Sequence, residues 1–109
     1  MSDFRTIATA DQLPSGERLV IAIDEVYIAV FNVGGNIYAI EDACTHDDGP
    51  LAEGVLIEDA DNPKIECDRH GATFELKTGK PTFPAVVPIK RYPVRVEGGT
   101  IQIDVQSPY

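Results

Sequence analysis

Two short segments of the sequence each combine one cysteine with one histidine. One residue separates Cys44 from His46, and two residues separate Cys67 from His70. The 109-residue sequence contains no other cysteine or histidine, and 20 residues lie between the two pairs. Thiolate and imidazole are metal ligands, and ligands this close in sequence can reach one centre from a single tight loop. The four residues therefore form a candidate metal site held between two loops.

Two kinds of centre use two cysteines and two histidines. One is a tetrahedral zinc site, but zinc fingers place the cysteines together and the histidines together, with a helix carrying the histidine pair. The other is an iron–sulfur cluster in which two cysteines bind one iron and two histidines bind the other. The order Cys, His, Cys, His favours the cluster, because each loop then supplies one ligand to each iron. Four unrelated residues are disfavoured, because both pairs lie in loop-like sequence rather than in a core segment.

Strand-forming sequence flanks the candidate site on both sides. Apolar and β-branched runs at 19–23, 26–31 and 37–40 predict strands, with a hairpin turn at 34–36. Apolar and polar residues alternate at 92–96 and 101–105 around Gly98 and Gly99, which predicts a hairpin with one buried face. Shorter strands are predicted at 55–57, 64–66 and 73–76, and at most one helical turn at 10–14.

These patterns predict an all-β protein with a single domain over 1–109. The two ends of the chain supply an antiparallel β framework, a sandwich or barrel. A loop-rich subdomain at about 42–88 is inserted in this framework, and it carries both cysteines, both histidines and most of the prolines. The candidate chemistry is therefore confined to the inserted segment.

The net charge of the chain restricts the classes of partner that it is expected to bind. Eighteen acidic residues against 9 basic ones give a formal net charge of -9. We therefore expect no binding to nucleic acid or to anionic membranes, and we expect attraction to a basic patch on a protein partner. The sequence has no membrane-length apolar run and does not begin like a secretory signal, which favours a cytoplasmic protein. A reducing cytoplasm disfavours a disulfide between the two cysteines.

The segments 44–46 and 67–71 resemble the paired cluster-binding boxes of the Rieske family. The resemblance covers most of the chain. Residues 83–90 are similar to the proline-rich loop that covers the cluster in this family. Residues 91–97 and the final strand are similar to the family's C-terminal hairpin. It is strongest to the small ferredoxins that serve bacterial aromatic-ring-hydroxylating dioxygenases. The resemblance implies a Rieske-like fold and a [2Fe–2S] cluster, with Cys44 and Cys67 on the inner iron and His46 and His70 on the outer iron.

The sequence departs from the high-potential Rieske proteins of respiratory and photosynthetic complexes. Those proteins carry an additional disulfide, together with Ser and Tyr hydroxyls that hydrogen-bond to sulfur. Here no cysteine remains for a disulfide, and Ala72 and Phe74 stand at the hydroxyl positions. Hydrogen bonds to sulfur raise the reduction potential, so we expect a low value of about -150 mV. The interval between the boxes is a few residues longer than in ferredoxins of this kind, with the excess near Asp59 to Pro63.

The function that the resemblance implies is electron transfer without catalysis. The chain would be a monomeric carrier that passes single electrons from an NAD(P)H-dependent flavoprotein ferredoxin reductase to a terminal oxygenase. Gly34 and Gly35 lie in a predicted hairpin, not in a dinucleotide-binding loop, and no histidine remains for a mononuclear catalytic iron. The alternatives are a small subunit of an assimilatory nitrite reductase and a structural zinc module. Beside the ligands, an acidic docking rim or merely solvated carboxylates are expected at Asp47, Asp48 and Asp68.

Overall fold

A computed structural model describes residues 4–43, 50–59, 61–67, 71–83, 85–106 and 108. Within these ranges the chain forms strands and one short 3-10 turn at Ala10–Gln12. The strands are β1 (Phe4–Thr9), β2 (Arg18–Ile23), β3 (Val26–Val33), β4 (Asn36–Glu41), β5 (Val55–Ile57), β6 (Lys64–Glu66), β7 (Thr73–Glu75), β8 (Arg91–Tyr92), β9 (Val94–Glu97) and β10 (Thr100–Asp104). The predicted all-β class is confirmed. No helix in these ranges is long and apolar enough to cross a membrane.

The strands are arranged in three antiparallel sheets. The first has the order β1-β10-β9, the second β2-β3-β4-β8 and the third β5-β6-β7. The first sheet joins the start of the described chain to the C-terminal hairpin, since Phe4 pairs with Asp104. The third sheet is built only from 55–75, inside the insertion predicted at about 42–88.

Strand β3 is buried on both faces because the second sheet lies between two apolar clusters. Ala29 and Phe31 belong to the cluster that also contains side chains of β6 and β7, whereas Ile28 and Val30 belong to the cluster that contains side chains of β10. Successive side chains of a strand point to opposite faces, so Ala29 and Phe31 pack on one side of β3 and Ile28 and Val30 pack on the other. The second sheet is therefore a central layer between the first sheet and the third.

Two features of the framework were not predicted from the sequence. Strand β1 has no clear alternation of apolar and polar residues, and it forms an edge strand by pairing with β10. The turn between β2 and β3 has Asp24 and Glu25 at φ angles of 50° and 69°. Residues other than glycine seldom adopt this region, so composition alone did not indicate a tight turn there.

The C-terminal hairpin has the predicted turn, but the burial of its apolar face is incomplete. Gly98 and Gly99 have φ angles of 60° and 75°, as a tight hairpin turn with positive φ requires. Ile101 and Ile103 are fully buried, whereas Val96 is 53% exposed. Val96 lies in β9, which forms the other edge of the first sheet among the described residues.

The third sheet carries a carboxylate that is held in its ionised form. The Thr78 hydroxyl donates to Oε1 of Glu75 at 2.6 Å, and the Asn62 amide donates to Oε2 at 3.3 Å. These hydrogen bonds, Thr78 first and Asn62 second, lower the pKa of Glu75, and Lys80 and Lys64 act in the same direction. Because the pKa of Glu75 is lower in the folded than in the unfolded chain, ionised Glu75 stabilises the fold.

We expect Thr78→Val to destabilise the protein in a pH-dependent way. The stabilisation from Glu75 is present above the unfolded-state pKa of about 4.3 and is lost as the pH falls through the lower, folded-state pKa. The loss in the free energy of unfolding should therefore be larger at neutral pH than in acid, as measured by urea titration across this range. Thr6→Val, at an exposed position of β1, serves as the control and should show no such trend. A loss for Thr78→Val that is equal at all pH values would contradict the assignment.

Candidate metal centre

The described residues on either side of the first Cys/His pair are fixed by hydrogen bonds. The Asp42 backbone N–H donates to the carbonyl oxygen of Tyr27 at 2.8 Å. The Asp42 carboxylate, through Oδ1, accepts the backbone N–H of Ala52 at 2.8 Å. These bonds hold the chain in place both before and after the pair. Cys44 and His46 themselves lie outside the described residues.

The second pair occupies the connection between β6 and β7. The Cys67 backbone N–H donates to the carbonyl oxygen of Ala72 at 2.7 Å, and the N–H of Gly71 donates to the carbonyl oxygen of Cys67 at 3.2 Å. Gly71 has a φ of 74°, which permits this tight closure. Cys67 is 1% exposed and lies in the apolar cluster beneath the second sheet, together with Ala72 and Phe74. His70 lies outside the described residues.

Pairing between β5 and β6 brings the two loops together. Val55 pairs with Glu66, the residue immediately before Cys67. We call residues 51–54 the bridging turn; it is closed by the Gly54 N–H, which donates to the carbonyl oxygen of Leu51 at 3.0 Å. A Cβ added at Gly54 would lie 1.8 Å from the carbonyl oxygen of Glu66. The bridging turn, which follows the first loop, therefore packs directly on the strand that leads into the second.

Arg18 of β2 holds the bridging turn from the central sheet. Its Nη1 donates to the carbonyl oxygens of Ala52 and Gly54, at 2.8 and 2.7 Å. Its guanidinium carbon lies 5.7 Å from the centroid of the ring of Phe31, its partner across β3. Sequence analysis missed Arg18, Asp42 and Gly54, because their contacts join distant parts of the chain and no motif or spacing indicates them.

The segment 83–90 directs its apolar side chains both inward and outward. Ala85 is buried in the same apolar cluster as Cys67. Phe83 and Val86 are instead 86% and 77% exposed. The described part of this segment thus contributes Ala85 and Ile89 to the apolar cluster that contains Cys67, and it presents Phe83 and Val86 at the surface.

Several residues that the sequence singled out are not described. Among the four predicted ligands, the structure places Cys67 alone. The other predicted ligands and the acidic residues of interest lie outside the described ranges: Cys44, His46, Asp47, Asp48, Asp68 and His70. The predicted acidic rim at Asp47, Asp48 and Asp68 therefore stays a prediction.

Comparison with known families decides which kind of centre this is. Residues 3–104 match the family model of the Rieske-like [2Fe-2S] domain. The chain belongs to the Rieske-like [2Fe-2S] domain family. The predicted resemblance and the predicted [2Fe–2S] cofactor are confirmed.

Individual relatives agree with this assignment. Over 94 residues the chain is 50% identical to the 3-phenylpropionate/cinnamic acid dioxygenase ferredoxin subunit of Shigella flexneri serotype 5b (strain 8401), covering 85% of each chain. It superposes on the ferredoxin of carbazole 1,9a-dioxygenase from Nocardioides aromaticivorans IC177 with a TM-score of 0.86, 34% identity and coverage of 94% and 98%. A chain of the solved complex of reduced oxygenase and oxidized ferredoxin in carbazole 1,9a-dioxygenase gives a TM-score of 0.83, 32% identity and coverage of 93% and 92%.

The described geometry of this Rieske-like domain fits a [2Fe–2S] cluster. The donor set predicted from the sequence takes one cysteine and one histidine from each of the segments 44–46 and 67–70. The Cys67 thiol is buried close to the bridging turn, in surroundings that exclude water. Two thiolates and two imidazoles, the donor set predicted from the sequence, suit the two unlike irons of this cluster.

We expect Gly54→Ala to disrupt the domain at the contact between its two loops. The added methyl group cannot occupy a position 1.8 Å from a backbone oxygen, so either the bridging turn or β6 must move. Overpacking against backbone costs about 3 kcal/mol. Urea unfolding should show a loss of at least this order, and the iron content per chain should fall.

Gly34→Ala is the matched control for this substitution. Gly34 lies in the β3–β4 turn with a φ of 60° and open space around its Cα. Alanine there costs about 1–2 kcal/mol from backbone strain alone. If Gly54→Ala retains the stability and iron content of Gly34→Ala, close contact between the bridging turn and β6 is not needed for the site.

Proposed function

We propose that this chain is a low-potential one-electron carrier of an aromatic-ring-hydroxylating dioxygenase system. It accepts electrons from an NAD(P)H-dependent flavoprotein ferredoxin reductase and passes them to the terminal oxygenase. The observation that carries the proposal is its 50% identity to a dioxygenase ferredoxin subunit over most of both chains. Ferredoxin subunits transfer electrons and do not catalyse the oxygenation, so the chain is a carrier and not an enzyme.

The ligands in this proposal are Cys44 and Cys67 for the inner iron and His46 and His70 for the outer iron. The bound cluster supplies a centre that gains and loses a single electron. The bridging turn follows the first Cys/His pair and leads into β5, which pairs with β6, the strand that ends just before Cys67. Support for the assignment comes from the donor types and from the way β5 and β6 place the two loops together.

The surroundings of Cys67 support a low reduction potential. Ala72 and Phe74 are fully buried in the apolar cluster that contains Cys67. Neither side chain has a hydroxyl, so neither can donate a hydrogen bond to sulfur there. Fewer such donors leave the added negative charge of the reduced state less stabilised, and the potential is correspondingly lower.

The net charge of -9 supports transient association with basic partner surfaces. Complementary charge speeds the encounter, and a small polar interface allows the carrier to leave after each transfer. We propose that the carrier acts as a monomer in the cytoplasm, where reduced nicotinamide supplies the reductase. The identity to a dioxygenase ferredoxin subunit favours this function over a nitrite reductase subunit or a zinc module.

Optical and low-temperature EPR spectra before and after dithionite test the centre. We expect a reddish-brown oxidised protein that gains, on reduction, the low average g value of a histidine-ligated [2Fe–2S] cluster. Cys67→Ser should abolish both spectra, because it removes a ligand, whereas Asp59→Asn, an exposed substitution, should preserve them. A colourless protein that contains zinc would exclude the carrier and leave a structural module.

Reconstituted electron transfer tests the partners. We expect the chain to be required for turnover when it is combined with NADH and the reductase and oxygenase of a 3-phenylpropionate dioxygenase system. Electron transfer should slow at an ionic strength of about 1 M, where the screening length falls to about 3 Å. A protein that carries the cluster but is neither reduced by the reductase nor reoxidised by the oxygenase would refute the carrier function without affecting the cluster assignment.

A further inference from the structure

We propose that Arg18 is a positioning residue for the cluster, because it fixes the bridging turn that sets the spacing between the two ligand loops. Arg18 lies in β2, far from either Cys/His pair in sequence. It acts on the site only through the bridging turn. The inference rests on the proposed ligand set and adds to it a residue outside both boxes.

Ala52 is the first residue of the bridging turn that Arg18 holds in place. Side chains from two different elements hold both polar groups of its backbone. The Asp42 carboxylate accepts its N–H at 2.8 Å, and Arg18 Nη1 donates to its carbonyl oxygen at 2.8 Å. Asp42 lies at the start of the first ligand loop, so Arg18 and Asp42 together fix where that loop ends relative to where it begins. Ala52 is 8% exposed, so water cannot readily replace either partner.

Gly54 is the second residue of the bridging turn that Arg18 holds in place. Its carbonyl oxygen accepts a hydrogen bond from the same Nη1 of Arg18 at 2.7 Å. Its Cα packs against the backbone carbonyl of Glu66, the residue before Cys67. Nη1 of Arg18 therefore donates both to Ala52, just after the first loop, and to Gly54, which packs on the strand that leads into the second loop. Loss of this donor would leave two carbonyl oxygens without that partner and release the bridging turn from β2.

Phe31 orients Arg18 for this role. The guanidinium lies over a ring that is fully buried, and the two residues are directly opposite each other on β2 and β3. A planar guanidinium held by a ring loses less conformational freedom on hydrogen bonding than a flexible ammonium. Arg18 is thus anchored in the central sheet while its charged end reaches the bridging turn.

The test compares Arg18→Met with Arg18→Lys and with a matched control, Arg95→Met. Arg95 also lies over an aromatic ring, Phe4 at 4.3 Å, and it also donates a hydrogen bond, to Gln102 at 2.6 Å. It lies in β9 of the first sheet and also pairs with Glu97 at 3.2 Å, so its loss removes a ring contact, a hydrogen bond and an ion pair away from the bridging turn. Each reconstituted protein is assayed for the rate of iron release to a chelator, the reduction potential and the EPR g values.

We expect Arg18→Met to release iron about 10-fold faster than the wild type, because loss of an outer-shell partner lowers metal affinity by about this factor and weaker binding speeds dissociation. Its EPR g values and reduction potential should shift, whereas those of Arg95→Met should not. Arg18→Lys keeps a charged donor and should restore part of the retention. If Arg18→Met does not fold, Arg18→Lys alone must still release iron faster than Arg95→Met.

Two results would overturn the proposal in distinguishable ways. If the wild type carries the cluster, and Arg18→Met and Arg18→Lys match Arg95→Met in release rate, potential and g values, Arg18 contributes to the fold alone. If the wild type itself shows no histidine-ligated [2Fe–2S] spectrum, the ligand set and the proposed function fail together with the inference. A lowered melting temperature with wild-type g values and potential also counts against a positioning role.

Discussion

The pairing of β5 with β6 is the interaction on which the site depends. It places Val55, just after the first ligand loop, beside Glu66, just before the second. The strands are three residues each, so the pairing alone is short and marginal. Contacts from outside the third sheet reinforce it: Gly54 packs on Glu66, and Arg18 holds the bridging turn. The position of the two loops therefore depends on a small sheet that the framework holds in place.

The layered core joins the central sheet to the surroundings of Cys67. Strand β3 supplies Phe31 to the same apolar cluster that contains Cys67, Ala72 and Phe74. The apolar side chains around Cys67 thus belong to the core that packs on the central sheet. A large cavity beside Cys67 would lower the free energy of unfolding and expose the bound [2Fe–2S] cluster to water. Folding and cofactor retention therefore depend on the same side chains.

The parts of the molecule that could be predicted from the sequence are those governed by neighbouring residues. The Cys/His spacing is local, and so are the Gly34–Gly35 and Gly98–Gly99 turns, which the structure places with positive φ angles. The edge strand β1 and the exposed Val96 depend on which strand pairs with which, and the chain order does not specify this pairing. Contacts across more than 30 residues, such as those of Arg18 with Ala52 and Gly54, leave no periodic pattern.

The two properties that a carrier needs come from separate regions in this fold. Its potential depends on what surrounds the thiolates, and around Cys67 the described side chains are apolar and tightly packed. Its choice of partner depends on the surface, which is acidic overall and exposes Phe83 and Val86 in the segment that also contributes the buried Ala85. Because Phe83 is exposed and Ala85 lies in the apolar cluster that contains Cys67, a substitution at Phe83 leaves that cluster intact, whereas a larger side chain at Ala85 must displace its neighbours.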